Sequence, residues 1–257
     1  MLTLKNVTKH YNPGSVNEMC LFDGFDFSLK RGQFVSVVGS NGSGKTSLLN
    51  LICGNISVDG GNIFMDNIEI TGQKDYVRQR KIGRVYQNPA KGTCQGMTIL
   101  ENLALADNKG KRYGLFKGIN KNRIDDYKEL LSTLGLGLED KLYTQVGVLS
   151  GGQRQALALL MATMTPIDFL ILDEHTAALD PKTADGIMEL TNKIVCEKGL
   201  TTIMVTHNLR YAVEYGDRLV MLHEGRIVLD KENDEKRDMK VRDIMKIFNQ
   251  ISVECGN

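Results

Sequence analysis

The segment GSNGSGKT, residues 39–46, constrains this chain more than any other feature. It satisfies the pattern G-x-x-x-x-G-K-[ST], directly follows the apolar run FVSVV (34–38), and precedes a segment compatible with a helix. A strand that ends in such a loop and continues as a helix directs several backbone N–H groups toward one point, together with the positive end of the helix dipole. The segment therefore predicts a phosphate-binding loop at the carboxyl end of a buried strand.

The residue types of this loop predict how a nucleotide would be held. The glycines let the backbone curl around phosphate, the Lys45 ammonium can reach β- and γ-phosphates, and the Thr46 hydroxyl suits Mg²⁺. We expect ATP contacts from Gly39, Ser40, Asn41, Gly42, Ser43, Gly44, Lys45, Thr46 and Ser47.

A second acidic segment, FLILDE (169–174), has the pattern of a buried strand that ends in two carboxylates. Ligands of open α/β sheets bind at the carboxyl ends of strands, so Asp173 suits the Mg²⁺ shell. Glu174, one residue further, is placed to polarise an attacking water. Acidic strand ends are common, but combined with the phosphate loop this one indicates a nucleoside triphosphatase. A kinase, a helicase, a GTPase and a transport motor all remain open at this point.

The sequence LSGGQ (149–153) predicts a second anion site. Ser150, Gly151, Gly152 and Gln153 open an apolar helical segment, so hydroxyl and N–H groups converge at a helix N-terminus. The alternative is a helix that merely starts with glycine. Because the two phosphate sites lie far apart in sequence, the economical explanation is that the second one closes on ATP held by another subunit.

Short apolar runs separated by helical stretches predict a doubly wound α/β fold. The strand-like runs stop between about Asn88 and Pro166, where apolar residues recur at helical spacing. We therefore predict one domain over residues 1–257, divided into a core (1–87 and 167–230), a helical insertion (88–166) and a C-terminal helical tail (231–257). The simplest interpretation of the amphipathic tail is a surface helix that packs on the core and has only a structural role.

Composition excludes several other classes. The net charge of +1 gives no global attraction to nucleic acid or anionic lipid. Five scattered cysteines without a C-x-x-C pair argue against zinc and disulfide scaffolds. No apolar run approaches the roughly 20 residues that span a bilayer, and the N-terminus lacks a signal-peptide core. We expect a soluble chain, or one held at a membrane by a partner.

The order and spacing of these motifs resemble the ATP-binding subunits of ATP-binding cassette (ABC) transporters over nearly the whole chain. The resemblance implies a phosphate-loop fold with a mostly parallel sheet flanked by helices, an N-terminal antiparallel β subdomain and an inserted helical subdomain. It implies ATP hydrolysis with Mg²⁺, a second copy that completes an ATP-sandwich dimer, and a separate transmembrane permease. The chain would then be cytoplasmic and peripheral on the inner face of the membrane.

Further residue roles follow from the same resemblance. Tyr11 would stack on adenine, although a surface tyrosine is the alternative. Gln87 would contact Mg²⁺ and sense the membrane partner, Asp180 would contact the second copy, and His207 would touch the γ-phosphate. His175 departs from the family, which more often has proline after the catalytic glutamate.

The direction and the cargo of transport are less constrained. The segment DEHTAALDP resembles bacterial importer motors predicted to carry amino acids, which favours import and an extracellular substrate-binding protein in the complex. An export or lipoprotein-release motor is the alternative. A role on nucleic acid or the ribosome is disfavoured because such relatives carry two cassettes or a long coiled coil, and a non-catalytic cassette because Lys45 and Glu174 are present.

One segment suggests a different partner. Residues 107–123 contain six Lys or Arg and one acid, interleaved with Tyr113 and Phe116. The interpretations are a solvated loop, contact with lipid headgroups or a membrane subunit, and binding of single-stranded nucleic acid. With the other motifs considered, no nucleic-acid partner is expected.

Overall fold

The computed structural model describes residues 1–111 and 118–254. The chain divides into two compact units, Met1–Asp75 with the described residues from Thr201 onward, and Tyr76–Leu200. In chain order the elements are β1 (Leu2–Tyr11), β2 (Met19–Leu29), β3 (Phe34–Gly39), α1 (Lys45–Cys53), β4 (Gly60–Met65), β5 (Ile68–Glu69), α2 (Asp75–Arg78), β6 (Ile82–Val85), α3 (Ile99–Asp107), α4 (Ile124–Ser132), α5 (Gly151–Thr163), β7 (Phe169–Asp173), α6 (Pro181–Lys198), β8 (Thr201–Val205), α7 (Leu209–Glu214), β9 (Arg218–His223), β10 (Arg226–Glu232), α8 (Asn233–Arg237) and α9 (Val241–Glu254).

The first unit contains the expected antiparallel sheet, in the strand order β2-β1-β4-β5. Residue Leu2 pairs with Leu29 on one side and with Met65 on the other. Leu2 and Leu4 of β1 are buried with Thr3 less buried between them, as in a half-buried strand, and the alternation shifts by one residue before the buried Val7.

A second group of strands in the first unit carries the phosphate loop. Strand β3 is buried along its whole length, because β8 and β9 flank it in parallel and β10 pairs antiparallel with β9. The segment DRLVMLHEGRIVLD (217–230) predicts a β-hairpin that turns at Glu224-Gly225. This hairpin is confirmed, since both Glu224 (φ 44°) and Gly225 (φ 71°) have the left-handed backbone of a two-residue turn. The Gly225 N–H donates to the Ser43 carbonyl at 3.1 Å, so the hairpin supports the loop after β3.

The second unit combines the parallel pair β6–β7 with a helical cluster. Helices α3, α4 and α5 bury a common apolar core, and Ile187 of α6 joins it. Thr98 caps α3 reciprocally with Glu101, which fixes where that helix begins. Within the described part of 88–166 these helices are accompanied by short 3-10 turns and no named strand. The finer boundaries 1–87, 88–166, 167–230 and 231–257 stay a prediction.

The C-terminal tail packs on the first unit. Ile244 of α9 is buried beside Ala212 of α7, and Phe248 lies at the edge of the same cluster. In α8, the Lys236 ammonium donates to the carbonyls of Tyr215 and Gly216, both at 2.5 Å, and burial lowers the pKa of this lysine to about 8. None of the described helices is both long enough and apolar enough to span a membrane.

Candidate functional site

The start of α1 has the geometry of an anion site. Gly44 caps the helix with a left-handed backbone (φ 104°), no side chain caps it, and the first turn carries no acid. A Cβ on Gly44 would lie 2.9 Å from the Phe22 ring, and one on Gly39 would lie 2.6 Å from Ser43 Oγ. The sequence therefore needs glycine at both positions, and the uncapped amides with the helix dipole suit a phosphate chain.

Two buried polar groups of the loop support this interpretation. The Lys45 side chain is buried, and its ammonium donates to the carbonyls of Gly39 at 2.7 Å and Ser40 at 2.8 Å. Ser43 Oγ is buried and has no hydrogen-bond partner in the described structure. A buried hydroxyl without a partner costs free energy unless a ligand satisfies it, so these residues fit a nucleotide phosphate. Thr46, which follows Lys45 in the chain, is exposed.

Tyr11 and His207 also belong to the first unit. Tyr11 ends β1, and its hydroxyl lies 2.9 Å from Ser47 Oγ, which ties the strand end to the first turn of α1. His207 is exposed just beyond the carboxyl end of β8, between Thr206, whose N–H donates to the Val37 carbonyl at 3.2 Å, and Asn208, which caps α7. Both residues are thus placed by elements that also frame the phosphate loop.

In the second unit, Asp173 ends β7 and forms an ion pair with Arg84 of β6. Arg84 Nη2 donates to Asp173 Oδ2 at 2.6 Å, and the two side chains are only 10% and 17% exposed. The Arg84 guanidinium also lies 4.8 Å from the centre of the Tyr86 ring. Sequence reasoning missed Arg84, for which the available signal was a cation three residues before Gln87.

The residue after Asp173 has an unusual backbone. Glu174 is left-handed (φ 49°), and its carbonyl accepts from the Ala177 N–H at 3.0 Å, which closes a tight turn. His175 follows and is buried, and desolvation lowers the pKa of its imidazole to about 4. The ring is therefore neutral at physiological pH.

The start of α5 is built by a reciprocal cap. Ser150 Oγ accepts from the Gln153 N–H, and Gln153 Oε1 accepts from the Ser150 N–H, both at 3.2 Å. A Cβ on Gly152 would collide with Thr183 Cγ2, and one on Gly151 would lie 3.3 Å from Leu179. The two glycines thus allow this helix start to approach the start of α6.

Asp180 is the N-cap residue of α6, the helix whose start lies close to the start of α5. Its carboxylate accepts from the Thr183 N–H at 3.1 Å, and the hydrogen bonds from Thr183 hold the pKa of Asp180 below its usual value. Gln87 is exposed and lines a cavity of about 360 Å³ together with Gly151 and Leu179. The second unit therefore brings Gln87, the Ser150–Gln153 segment and the turn before Asp180 together.

Comparisons with known proteins agree with this geometry. The family model described as ABC transporter matches residues 22–177. A tyrosine transport ATP-binding protein of Clostridioides difficile (strain R20291) is 46% identical over 250 residues, covering 96% of this chain and 98% of that protein. This chain belongs to the ABC transporter family.

Two further relatives support the assignment of an ABC ATP-binding subunit. A phosphonates import ATP-binding protein of Halalkalibacterium halodurans is 30% identical over 250 residues, covering 95% of this chain and 94% of that protein. The solved dimeric structure of a post-hydrolysis state of an ATP-binding cassette, bound to ADP and Pi, has a TM-score of 0.76 and 32% identity. It covers 90% of this chain and 98% of the solved chain. The phosphate-loop fold expected from the sequence is thereby confirmed.

The basic segment of this ABC subunit is partly engaged in internal contacts. The Lys109 ammonium donates to the Ile82 carbonyl at 2.7 Å, while Asp107 lies 3.5 Å from Lys111 and 3.3 Å from Arg123. These three cations therefore have structural partners within the second unit. Of the rest of the expected basic-aromatic surface, Lys121 is exposed in a short 3-10 turn, and Arg112, Tyr113, Phe116 and Lys117 lie outside the described residues.

Replacing Arg84 should destabilise the ABC subunit, since it leaves the largely buried Asp173 carboxylate without its charged donor. We expect Arg84→Met to lower the free energy of unfolding by about 2 kcal/mol, the size of a hydrogen bond to a charged group. Chemical denaturation monitored by circular dichroism measures it.

The matched control is Lys81→Met. Lys81 pairs with Asp168 at 3.2 Å just before the same two strands, but the side chains are 64% and 32% exposed. Exposed pairs contribute about 0–1 kcal/mol, so this variant should stay close to the parental stability. An equal loss of unfolding free energy in both variants would show that burial does not make the Arg84–Asp173 pair more stabilising than the exposed pair.

Proposed function

We propose that this ABC subunit binds and hydrolyses ATP as one half of a dimer, and that hydrolysis drives a separate membrane permease, in the direction of import. The observation that carries the proposal is a pair of helix starts built for anions, one in each unit. The first follows Gly44, where the helix start has no side-chain cap and the buried Ser43 hydroxyl has no hydrogen-bond partner in the described structure. The second follows Ser150, whose cap leaves glycines at the first two helical positions.

In the proposed reaction, the chain's own residues bind ATP and position water. The Gly39–Ser47 loop holds the phosphates, Lys45 neutralises their charge, and Tyr11 supports adenine. Glu174 accepts a hydrogen bond from the attacking water and polarises it. His207 contacts the γ-phosphate. Attack by this water on the γ-phosphorus breaks the bond to the ADP oxygen and releases phosphate.

The proposed Mg²⁺ ligands are Thr46, Gln87 and Asp173. Their oxygens are the hard ligands that Mg²⁺ prefers, and Mg²⁺ when bound supplies charge neutralisation at the β- and γ-phosphates. Asp173 is held by Arg84 at 2.6 Å, so its carboxylate is oriented by the protein itself.

The dimer follows from the second anion site. We propose that Ser150–Gln153 of one copy close on the ATP held by the other copy, with Asp180 at the contact. A solved relative with 32% identity is a dimer bound to ADP and Pi, which supports this arrangement. Each site of the dimer is then composite, so a defect in one copy affects a site it shares with its partner.

Mixing two inactive variants tests the composite site. In a heterodimer of Glu174→Gln with Ser150→Arg, both defects fall in one site and the other site is intact. We expect the equimolar mixture, combined before ATP is added, to recover about a quarter of the parental ATPase rate, because half of the randomly formed dimers carry one intact site of two. Each variant alone should be inactive.

Sites confined to one chain give the opposite result. Neither chain of the mixture would then hold a complete site, and the mixture would be as inactive as its components. Size-exclusion chromatography with two different tags establishes that heterodimers have formed. Inactivity in their presence contradicts the composite site.

We propose an amino acid or a similar small molecule as the cargo, with a substrate-binding protein delivering it and the subunit held peripherally on the inner membrane face by its permease. The relative that is 46% identical is a tyrosine transport ATP-binding protein, and the match covers 98% of its length. We expect cells that lack this chain to lose high-affinity uptake of labelled tyrosine, and the parental gene but not Glu174→Gln to restore it. Unchanged uptake of tyrosine and other amino acids, with loss of export instead, would favour the alternative export or lipoprotein-release motor.

A further inference from the structure

The backbone at Glu174 requires support from its surroundings. A left-handed conformation brings Cβ close to the following carbonyl, so residues other than glycine and asparagine adopt it rarely and at a cost. Glu174 has φ 49°. Such a conformation persists where neighbouring structure holds it, which is typical of functional sites.

The turn that follows is short and closed by its own backbone. The Ala177 N–H donates to the Glu174 carbonyl at 3.0 Å, and the Leu179 N–H donates to the Thr176 carbonyl at 3.2 Å. These two bonds lie within residues 174–179, so the turn is attached to the rest of the second unit by side chains.

His175 provides a polar attachment of this kind. Its side chain is 2% exposed, and His175 Nε2 lies 3.2 Å from Oγ1 of Thr191, a residue of α6 that is fully buried. Helix α6 spans Pro181–Lys198, so Thr191 lies well inside it, about three turns beyond the cap at Asp180. The bond thus attaches the residue next to Glu174 to the rigid middle of a long helix.

The direction of this hydrogen bond follows from Thr191. Its hydroxyl donates to the Ile187 carbonyl at 2.7 Å, within the helix. A hydroxyl has one proton, so at His175 the Thr191 oxygen accepts and the Nε2–H of the ring donates. The Nε2–H group donates to Oγ1 of Thr191, and Oγ1–H donates to the Ile187 carbonyl, which assigns the proton of the neutral imidazole to Nε2.

We propose that His175 is a positioning residue for the ATPase reaction, which holds the Glu174 carboxylate in place through its hydrogen bond to Thr191. The inference rests on the proposed function, in which Glu174 polarises water.

Removing either partner should displace the glutamate without touching ATP. We expect His175→Leu and Thr191→Val each to lower kcat by about 10- to 100-fold, because a displacement of about 1 Å at a reacting group costs about that much. The KM for ATP should stay within about 2-fold, since neither residue is in the proposed ATP-binding set. The double variant should be no slower than the slower single variant, as expected for two groups that act through one bond.

A rescue variant and a matched control separate positioning from packing. His175→Gln places an amide N–H near the position of Nε2 and should recover most of the lost kcat. Thr163→Val is the control: Thr163 is a buried threonine of α5 whose hydroxyl also donates within its own helix, at 2.9 Å to Leu159. It should lower Tm as Thr191→Val does and leave kcat unchanged.

The outcomes distinguish this inference from the proposed function. If Glu174→Gln is inactive while His175→Leu and Thr191→Val keep the parental kcat, the positioning role is wrong and the general function stands. A kcat loss that Gln fails to rescue, or that Thr163→Val shares in proportion to its Tm, also overturns it. If Glu174→Gln itself keeps the parental rate, another group polarises the water, and the role given to Glu174 in the proposed function is wrong.

Discussion

Glu174→Gln is expected to lower kcat for ATP hydrolysis by about 10²- to 10⁴-fold, the usual contribution of a general base. The amide has nearly the shape of the carboxylate but is neutral and cannot take a proton from water. The turn at φ 49° should form as before, because its bonds are made by backbone groups and by the neighbouring His175. ATP binding should be retained, with ATP trapped in a stable dimer.

Single-turnover kinetics and the amount of bound ATP per dimer measure both effects. Glu197→Gln is the control, since Glu197 lies on α6 with its side chain 61% exposed and the same change of charge is made there. It should hydrolyse ATP at the parental rate. Turnover by Glu174→Gln at the parental rate would mean that another group polarises the water.

The elements with strong local patterns were the ones that the sequence predicted well. The apolar run at 34–38 became the buried strand β3, and the Glu224–Gly225 turn formed between β9 and β10. Both depend on rules that act over a few residues, namely burial of a continuous apolar run and left-handed backbone in a two-residue turn. The phosphate-loop fold itself was predicted from the GSNGSGKT segment and from the resemblance to ABC subunits.

Strand β6 shows where local patterns were too weak. It has four residues, IGRV, and one of them is charged, so no apolar run of useful length marks it. The strand matters for the site because it pairs with β7, with Val85 opposite Leu172. This pairing places Arg84 beside Asp173 at the end of β7. Pairing between segments separated by more than 80 residues of sequence leaves no periodic signal in either segment.

Side-chain contacts over long sequence separations were likewise invisible. The departure at His175 was evident from the sequence, but its partner Thr191 lies in the next helix, and only the fold brings the two together. The basic segment gives the converse case. Lys109 donates to the Ile82 carbonyl, and Asp107 pairs with two further cations. Counting charges in the sequence therefore overstated the positive charge that this segment presents to a partner.

Lys45→Ala should weaken ATP binding by about 10- to 100-fold, corresponding to a charge-assisted hydrogen bond of about 1.5–3 kcal/mol. The ammonium is buried and already oriented by the carbonyls of Gly39 and Ser40, so little freedom is lost when phosphate arrives. Isothermal titration with ATP measures the loss. Titration with adenosine, which has no phosphates, should give the same affinity for both proteins.

Lys236→Ala is the control for this change because its structural role is so similar. Lys236 is also a buried lysine of the first unit, and its ammonium also bridges two consecutive carbonyls, those of Tyr215 and Gly216. Its loss should lower Tm and leave the ATP affinity unchanged, since no phosphate-binding feature surrounds it. If Lys45→Ala behaves in the same way, destabilised but with parental affinity for ATP, then Lys45 only braces its own loop and the phosphate contact assigned to it is wrong.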